Sequence, residues 1–165
     1  MKSVALWFKR LGPLQSMISI KQIKDLRVKT GVSVIECRQA LEAAGGDAKQ
    51  ALAWLAAASH QTAEKKKARA LGAGAVASYI HSNGALGVLL ELRSETDFVS
   101  KNSDFRLLAE DLAMQVAATA PPTIEELLVQ PFIKEPAQTV GELIRLNGQK
   151  FGERIEVGRF IRYEL

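Results

Sequence analysis

Between Ile18 and Ala58, apolar residues recur at three- and four-residue spacing, and polar residues suited to helix ends separate the runs. Ser19 opens a first helix with Ile20, Ile23 and Leu26 on one face, and Gly31 closes it in the left-handed conformation open to glycine. Ser33 stands three residues before Glu36, the spacing of a capping box. It opens a second helix carrying Ile35, Cys37, Ala40, Leu41 and Ala44, and Gly45-Gly46 follows. Asp47, with Gln50 three residues on, opens a third helix along Ala48, Ala51, Leu52 and Leu55. The pattern predicts a compact three-helix head over residues 18–58.

Residues 59–72 are charged and read as a helical or extended connector, with Lys65, Lys66, Lys67 and Arg69 on a solvated face. Beyond it the period changes. Ala75 to His81 and Leu86 to Arg93 read as two strands joined at Ser82-Asn83-Gly84, where Asn-Gly supplies the positive φ angles of a tight hairpin. An amphipathic helix follows from Ser103 to Ala118, burying Phe105, Leu108, Leu112 and Val116 and flanked by Ala109 and Ala113. Pro121-Pro122 stops it. Thr123 with Glu126 starts a short helix, and Pro131 and Pro136 bracket a loop or edge segment. Thr139 with Glu142 is a second capping box, opening a helix toward Lys150. Alternation of Ile161, Tyr163 and Leu165 with Arg162 and Glu164 marks a final strand from Arg154 to Leu165. The fold class is therefore α+β: the helical head, then a core over residues 73–165 with a small three-stranded antiparallel sheet and helices on one side. The head resembles a ubiquitin-associated-type bundle, a module that binds partners and performs no chemistry.

Composition narrows the function. Charged residues are 24% and apolar residues 47% of the 165, an ordinary globular balance. The net charge of +4 looks basic, but residues 1–24 hold Lys2, Lys9, Arg10, Lys21 and Lys24 and no acid. From Asp25 onward 17 basic residues face 18 acidic ones, so the body is near neutral and nucleic acid is not expected as a direct ligand. Residues 1–17 mix Val4, Leu6, Trp7, Phe8 and Leu11 with basic side chains, the composition of an organellar targeting segment. That places the protein in the mitochondrial matrix, with a bacterial cytoplasm or an organellar stroma as the alternative. The single cysteine, Cys37, excludes an internal disulfide and reads as a small core side chain.

Candidate chemistry is sparse. No Ser-His-Asp or Cys-His set is supported by spacing, and His60 and His81 lack neighbours at metal-ligand spacing. The expectation is a protein that is not an enzyme and needs no metal or cofactor. Thr96-Asp97-Phe98-Val99 is the segment that stands out, an acid beside a large aromatic at a strand-to-helix junction, where rigid scaffolds carry function. Read locally, Asp97 is a helix cap and Phe98 a core plug.

A set of collinear segments resembles the translation elongation factor Ts family. In the head these are Leu26 to Gly31, Glu36 to Leu41 and Gly46-Asp47, followed by the Lys- and Ala-rich run Ala63 to Ala70. In the core they are Tyr79-Ile80-His81, Gly87-Val88-Leu89, Glu95 to Val99, Gln130-Pro131-Phe132, Thr139 to Ile144 and Arg159 to Leu165. The resemblance covers about residues 18 to 165. It implies a nucleotide exchange factor promoting GDP release from elongation factor Tu. It also implies partner contacts by Thr96, Asp97, Phe98 and Val99, with Asp97 and Phe98 reaching the GTPase near its magnesium and the phosphate end of GDP. In the head it assigns Arg27 as a polar anchor and Val34 and Ile35 as apolar contacts.

Three departures stand against the family pattern. Val34 and Ile35 occupy positions where methionines are common, and Arg93-Ser94 replaces a usual Asn-Cys. Ala118 to Leu128 bridges a region where the family carries a much longer stretch, the source of a second core subdomain or dimerising segment. The alternative reading is therefore an exchange-factor fold retained as a structural or docking subunit of a larger assembly such as an organellar ribosome.

Overall fold

The computed structural model describes residues 18–165, without the side chains of residues 61–65. The basic segment 1–17 and its targeting reading lie outside the described residues. The chain forms two compact units that divide between Ala57 and Ala58.

The first unit holds α1 (Ile20–Thr30), α2 (Val34–Ala43) and the start of α3 (Ala48–Lys66). Its caps follow local sequence. The Ser19 hydroxyl accepts from the Gln22 N–H and the Gln22 side chain returns to the Ser19 backbone, a capping box. The Ser33 hydroxyl accepts from the Glu36 N–H at 3.2 Å, and Asp47 accepts from the Gln50 N–H at 2.8 Å. Gly31 ends α1 at φ 68°. Leu26, Val32, Cys37, Ala40, Leu41, Ala51 and Leu55 form the core. Ile20 and Ile35, expected to face inward, point to solvent; Val32, in the α1–α2 turn, fills the core instead. Burial pushes the Cys37 thiol up, and it donates to the Val32 carbonyl at 3.7 Å. The thiol stays protonated and packs as a small apolar group.

The third helix continues through the expected connector to Lys66. Lys66 departs from the solvated reading: it is 8% exposed, and its ammonium donates to the Gly148 carbonyl at 3.2 Å.

In the second unit, β1 (Ala73–Ile80), β2 (Leu86–Ser94) and β5 (Ile155–Glu164) form an antiparallel sheet in the order β1-β2-β5. The β1–β2 turn differs from the expected one. Asn83 keeps a negative φ and only Gly84, at 70°, is left-handed. The Gly84 N–H donates to the His81 carbonyl at 2.8 Å, and the Asn83 side chain accepts from the Ala85 N–H at 3.0 Å. The register of β2 against β5 shifts at Glu91/Leu92, where Gly158 makes the extra residue of a bulge. A Cβ at Gly158 would lie 2.9 Å from the Arg93 side chain.

One sheet face, with Ala77, Val88, Leu90, Leu92 and Val157, packs on α5 (Ser103–Thr119). Helix α5 buries Phe105, Leu108, Ala109, Leu112, Ala113 and Val116 as its periodicity requires. The opposite face carries Val76, Ile80, Leu89, Ile161 and Tyr163 in the open. Helix α6 (Ile124–Val129) precedes a small hairpin of β3 (Pro131–Phe132) and β4 (Glu135–Thr139), where a loop or edge segment was expected. Pro136 is tolerated because a two-stranded ribbon has free edges. The Gln115 side chain, fully buried on α5, donates to the Pro131 carbonyl at 3.2 Å and accepts from the Ile133 N–H at 2.8 Å. It thereby ties the hairpin to the core. The Thr139–Glu142 capping box opens α7 (Val140–Phe151), which ends at Gly152 with φ 75°.

Candidate functional site

Strand β2 ends at Ser94, and α4 (Asp97–Ser100) begins three residues later. A helix of four residues cannot stabilise itself, so its position comes from its anchors. On the inner side Val99 and Ser100 are buried, Val99 at 3% exposure within the main core. Val99, expected among the partner contacts, is buried here and holds the segment down.

On the outer side stands Phe98, 81% exposed. This overturns the local reading of Phe98 as a core plug. Asp97 is not the cap either: it occupies the first helical position, and Thr96 is the N-cap. The Asp97 carboxylate accepts from the Lys101 ammonium at 2.6 Å, one turn along. That hydrogen bond and the lysine charge hold the Asp97 carboxyl below its usual range.

The backbone before α4 is braced from a distant part of the chain. The Glu95 carboxylate accepts from the Arg154 N–H at 2.6 Å and from the Arg69 guanidinium at 3.3 Å. The Glu153 carboxylate accepts from the Thr96 N–H at 3.1 Å and from the Thr96 hydroxyl at 2.5 Å. The Ser94 hydroxyl donates to the Thr96 carbonyl at 3.0 Å. Ser94, one of the departures from the family pattern, is thus a buried part of the brace. Neither Glu153 nor Arg154 is a candidate site residue in the sequence, and Glu95 enters there only as the first residue of the resembling segment. Their partners lie 57 and 59 residues away, and no local pattern marks such pairs.

In the first unit, Arg27 is exposed on α1, and Val34 and Ile35 are exposed at the start of α2, at 49% and 70%. Two neighbouring apolar side chains at a helix N-terminus leave the core of the head complete without them. Thr96, Asp97 and Phe98 form a continuous exposed surface; the head residues form their own, in the other unit. Among the described residues no group of three or more His, Cys, Asp or Glu side chains is placed to hold a metal ion.

The segment from Glu95 to the C-terminus matches a family model described as elongation factor TS, over residues 95–165. An elongation factor Ts from Desulforamulus reducens is 35% identical over 193 residues, covering 90% of this chain and 89% of that one. The chain belongs to the elongation factor Ts family. The corresponding protein of Thermodesulfovibrio yellowstonii is 36% identical over 192 residues, covering 90% of this chain and 96% of that one. An elongation factor Ts of Nostoc is 42% identical over 148 residues, covering 90% of this chain and 47% of that one.

The first two alignments run longer than the 165 residues of this chain, so those elongation factors carry internal residues with no counterpart here. In this structure α5 passes to α6 through Ala120 to Thr123, with Ala120 left-handed at φ 46°. That connection lies within Ala118 to Leu128, the stretch expected from the sequence to bridge a longer region of the family. The three relatives are bacterial, and the mitochondrial expectation rests on segment 1–17 alone. Among the described residues no helix is long and apolar enough to cross a membrane.

Proposed function

We infer that this chain promotes GDP release from elongation factor Tu, acting by binding rather than by making or breaking covalent bonds. The observation that carries the reading is Phe98: a large apolar side chain held out in solvent on a short helix that Val99 and Ser100 bury from below and Thr96 braces at its start. A loose aromatic would lose side-chain entropy on docking, whereas one on an anchored turn is already placed. Phe98 inserts between packed side chains of the GTPase, and Asp97 competes for the polar network around the magnesium ion. Arg27, Val34 and Ile35 supply a second contact from the head.

The energetics follow from linkage. A partner that binds the nucleotide-free GTPase more tightly than the GDP-bound form weakens GDP binding by the same factor. The shortened α5–α6 connection is compatible with this role, because the exposed signature and its brace lie wholly in residues present here.

Equilibrium binding to elongation factor Tu in two states tests the reading. Retention by the nucleotide-free GTPase, with release on adding GDP, is expected. Equal affinity for both states contradicts it and favours a docking subunit.

A further inference from the structure

We propose that Glu153 is a positioning residue for Phe98, fixing the turn that carries the aromatic ring although Glu153 meets no partner itself. The proposal rests on the exchange reading above.

Thr96 precedes α4 at the N-cap position, yet its hydroxyl makes no capping bond to that helix. The hydroxyl is donated to Glu153 instead, and the Thr96 N–H goes to the second oxygen of the same carboxylate. The capping group is diverted from its own helix to a residue 57 positions away. Helix α4 gives up a local bond in exchange for a fixed orientation relative to the α7–β5 turn.

Glu153 can be there because of how α7 ends. Gly152 takes φ 75°, and the chain reverses so that Glu153 faces the β2–α4 junction. The next residue closes the clamp from the other strand of the junction. The Arg154 N–H donates to Glu95 at 2.6 Å, and the Arg154 guanidinium donates to the Arg69 carbonyl at 2.7 Å. Two consecutive residues, Glu95 and Thr96, are thus bonded reciprocally to two consecutive residues, Arg154 and Glu153. With Thr96 clamped on one side and Val99 buried on the other, the two residues between them, Asp97 and Phe98, have little freedom of direction.

The test combines kinetics with nuclear magnetic resonance on the full chain. Glu153→Ala should lower the maximum rate of GDP release from elongation factor Tu by up to about a hundredfold, the scale of loss when a distant substitution misplaces a working group by about 1 Å. The concentration giving half that rate should change far less. In a Phe98→Ala background, Glu153→Ala should add nothing, since it acts through Phe98. Glu153→Gln, which keeps one acceptor oxygen for Thr96, should restore part of the rate. In the free protein, Glu153→Ala should speed hydrogen exchange of the Thr96 amide and lower the order parameter of the Phe98 amide, with Leu92 in β2 unchanged.

Wild-type rates from the Glu153→Ala variant, or full multiplication of the two losses, would overturn the proposal. If the wild-type chain fails to stimulate release at all, the exchange reading is what fails. Unchanged Thr96 exchange and Phe98 order in Glu153→Ala would then refute the clamp as well.

Discussion

Lys101 holds the Asp97 carboxylate at 2.6 Å across one turn of α4, with both side chains open to water. The pair favours the ionised form of the signature acid without fixing the fold. Replacing Lys101 with Met removes the cation and the hydrogen bond that favour the ionised form, so the Asp97 pKa should rise toward the ordinary carboxylate range. Carbon-13 titration of the Asp97 carboxyl checks this. Thermal stability should not move measurably, because exposed pairs contribute little.

Phe98→Ala removes a side chain that is 81% exposed in its own chain. The variant should unfold within about 0.5 kcal/mol of the wild type, as surface substitutions do. Its affinity for nucleotide-free elongation factor Tu should fall by about 2 kcal/mol or more, the cost of losing an interface aromatic. Denaturant melts and titration calorimetry measure the two halves. A Val99→Ala change at the next position should do the reverse, lowering stability first, because Val99 is in the core.

Glu142 should give stability a pH dependence of known sign. Its carboxylate accepts from the Thr139 N–H at 2.7 Å and from the Thr139 hydroxyl at 3.1 Å, and these bonds, the backbone one first, lower its pKa. A depressed folded value means the contribution is present above the unfolded pKa, about 4.3, and is lost as pH falls through the folded value. Glu142→Gln keeps an acceptor at the third helical position but cannot titrate. Urea melts from neutral pH down into the acid range should therefore show a shallower acid loss for the variant than for the wild type.

Gly74 and Gly87 sit in paired strands and should respond differently to alanine. A Cβ at Gly74 would lie 2.6 Å from the Leu92 carbonyl oxygen, a backbone atom that cannot move without opening the β1–β2 ladder. A Cβ at Gly87 would meet the end of the Ile80 side chain at 3.0 Å, and that side chain is exposed and can turn away. Gly74→Ala should cost about 1–3 kcal/mol. Gly87→Ala should cost clearly less in the same melts.

Much of this was legible wherever the physics is local. The Ser33, Asp47, Thr123 and Thr139 caps each bond to a backbone N–H three residues on, so the spacing alone announces them. The buried stripe of α5 follows from a 3.6-residue period. What depends on distant partners was hidden. Nothing near Thr96 announces Glu153, and nothing near Lys66 announces the Gly148 carbonyl that draws it inward. The β3–β4 hairpin was masked by its two prolines, and no local signal marks Gln115, whose partners lie 16 and 18 residues away. Phe98 shows the limit most clearly: an aromatic beside an acid reads equally as a plug or a probe until its exposure is known.

Release of fluorescent GDP from elongation factor Tu, followed by stopped flow with increasing amounts of the wild-type chain and of Phe98→Ala, tests the central claim most directly. The expected result is acceleration that saturates with the wild-type chain and is largely lost with Phe98→Ala. Release unchanged by the folded wild-type chain, or accelerated equally by both proteins, would contradict it.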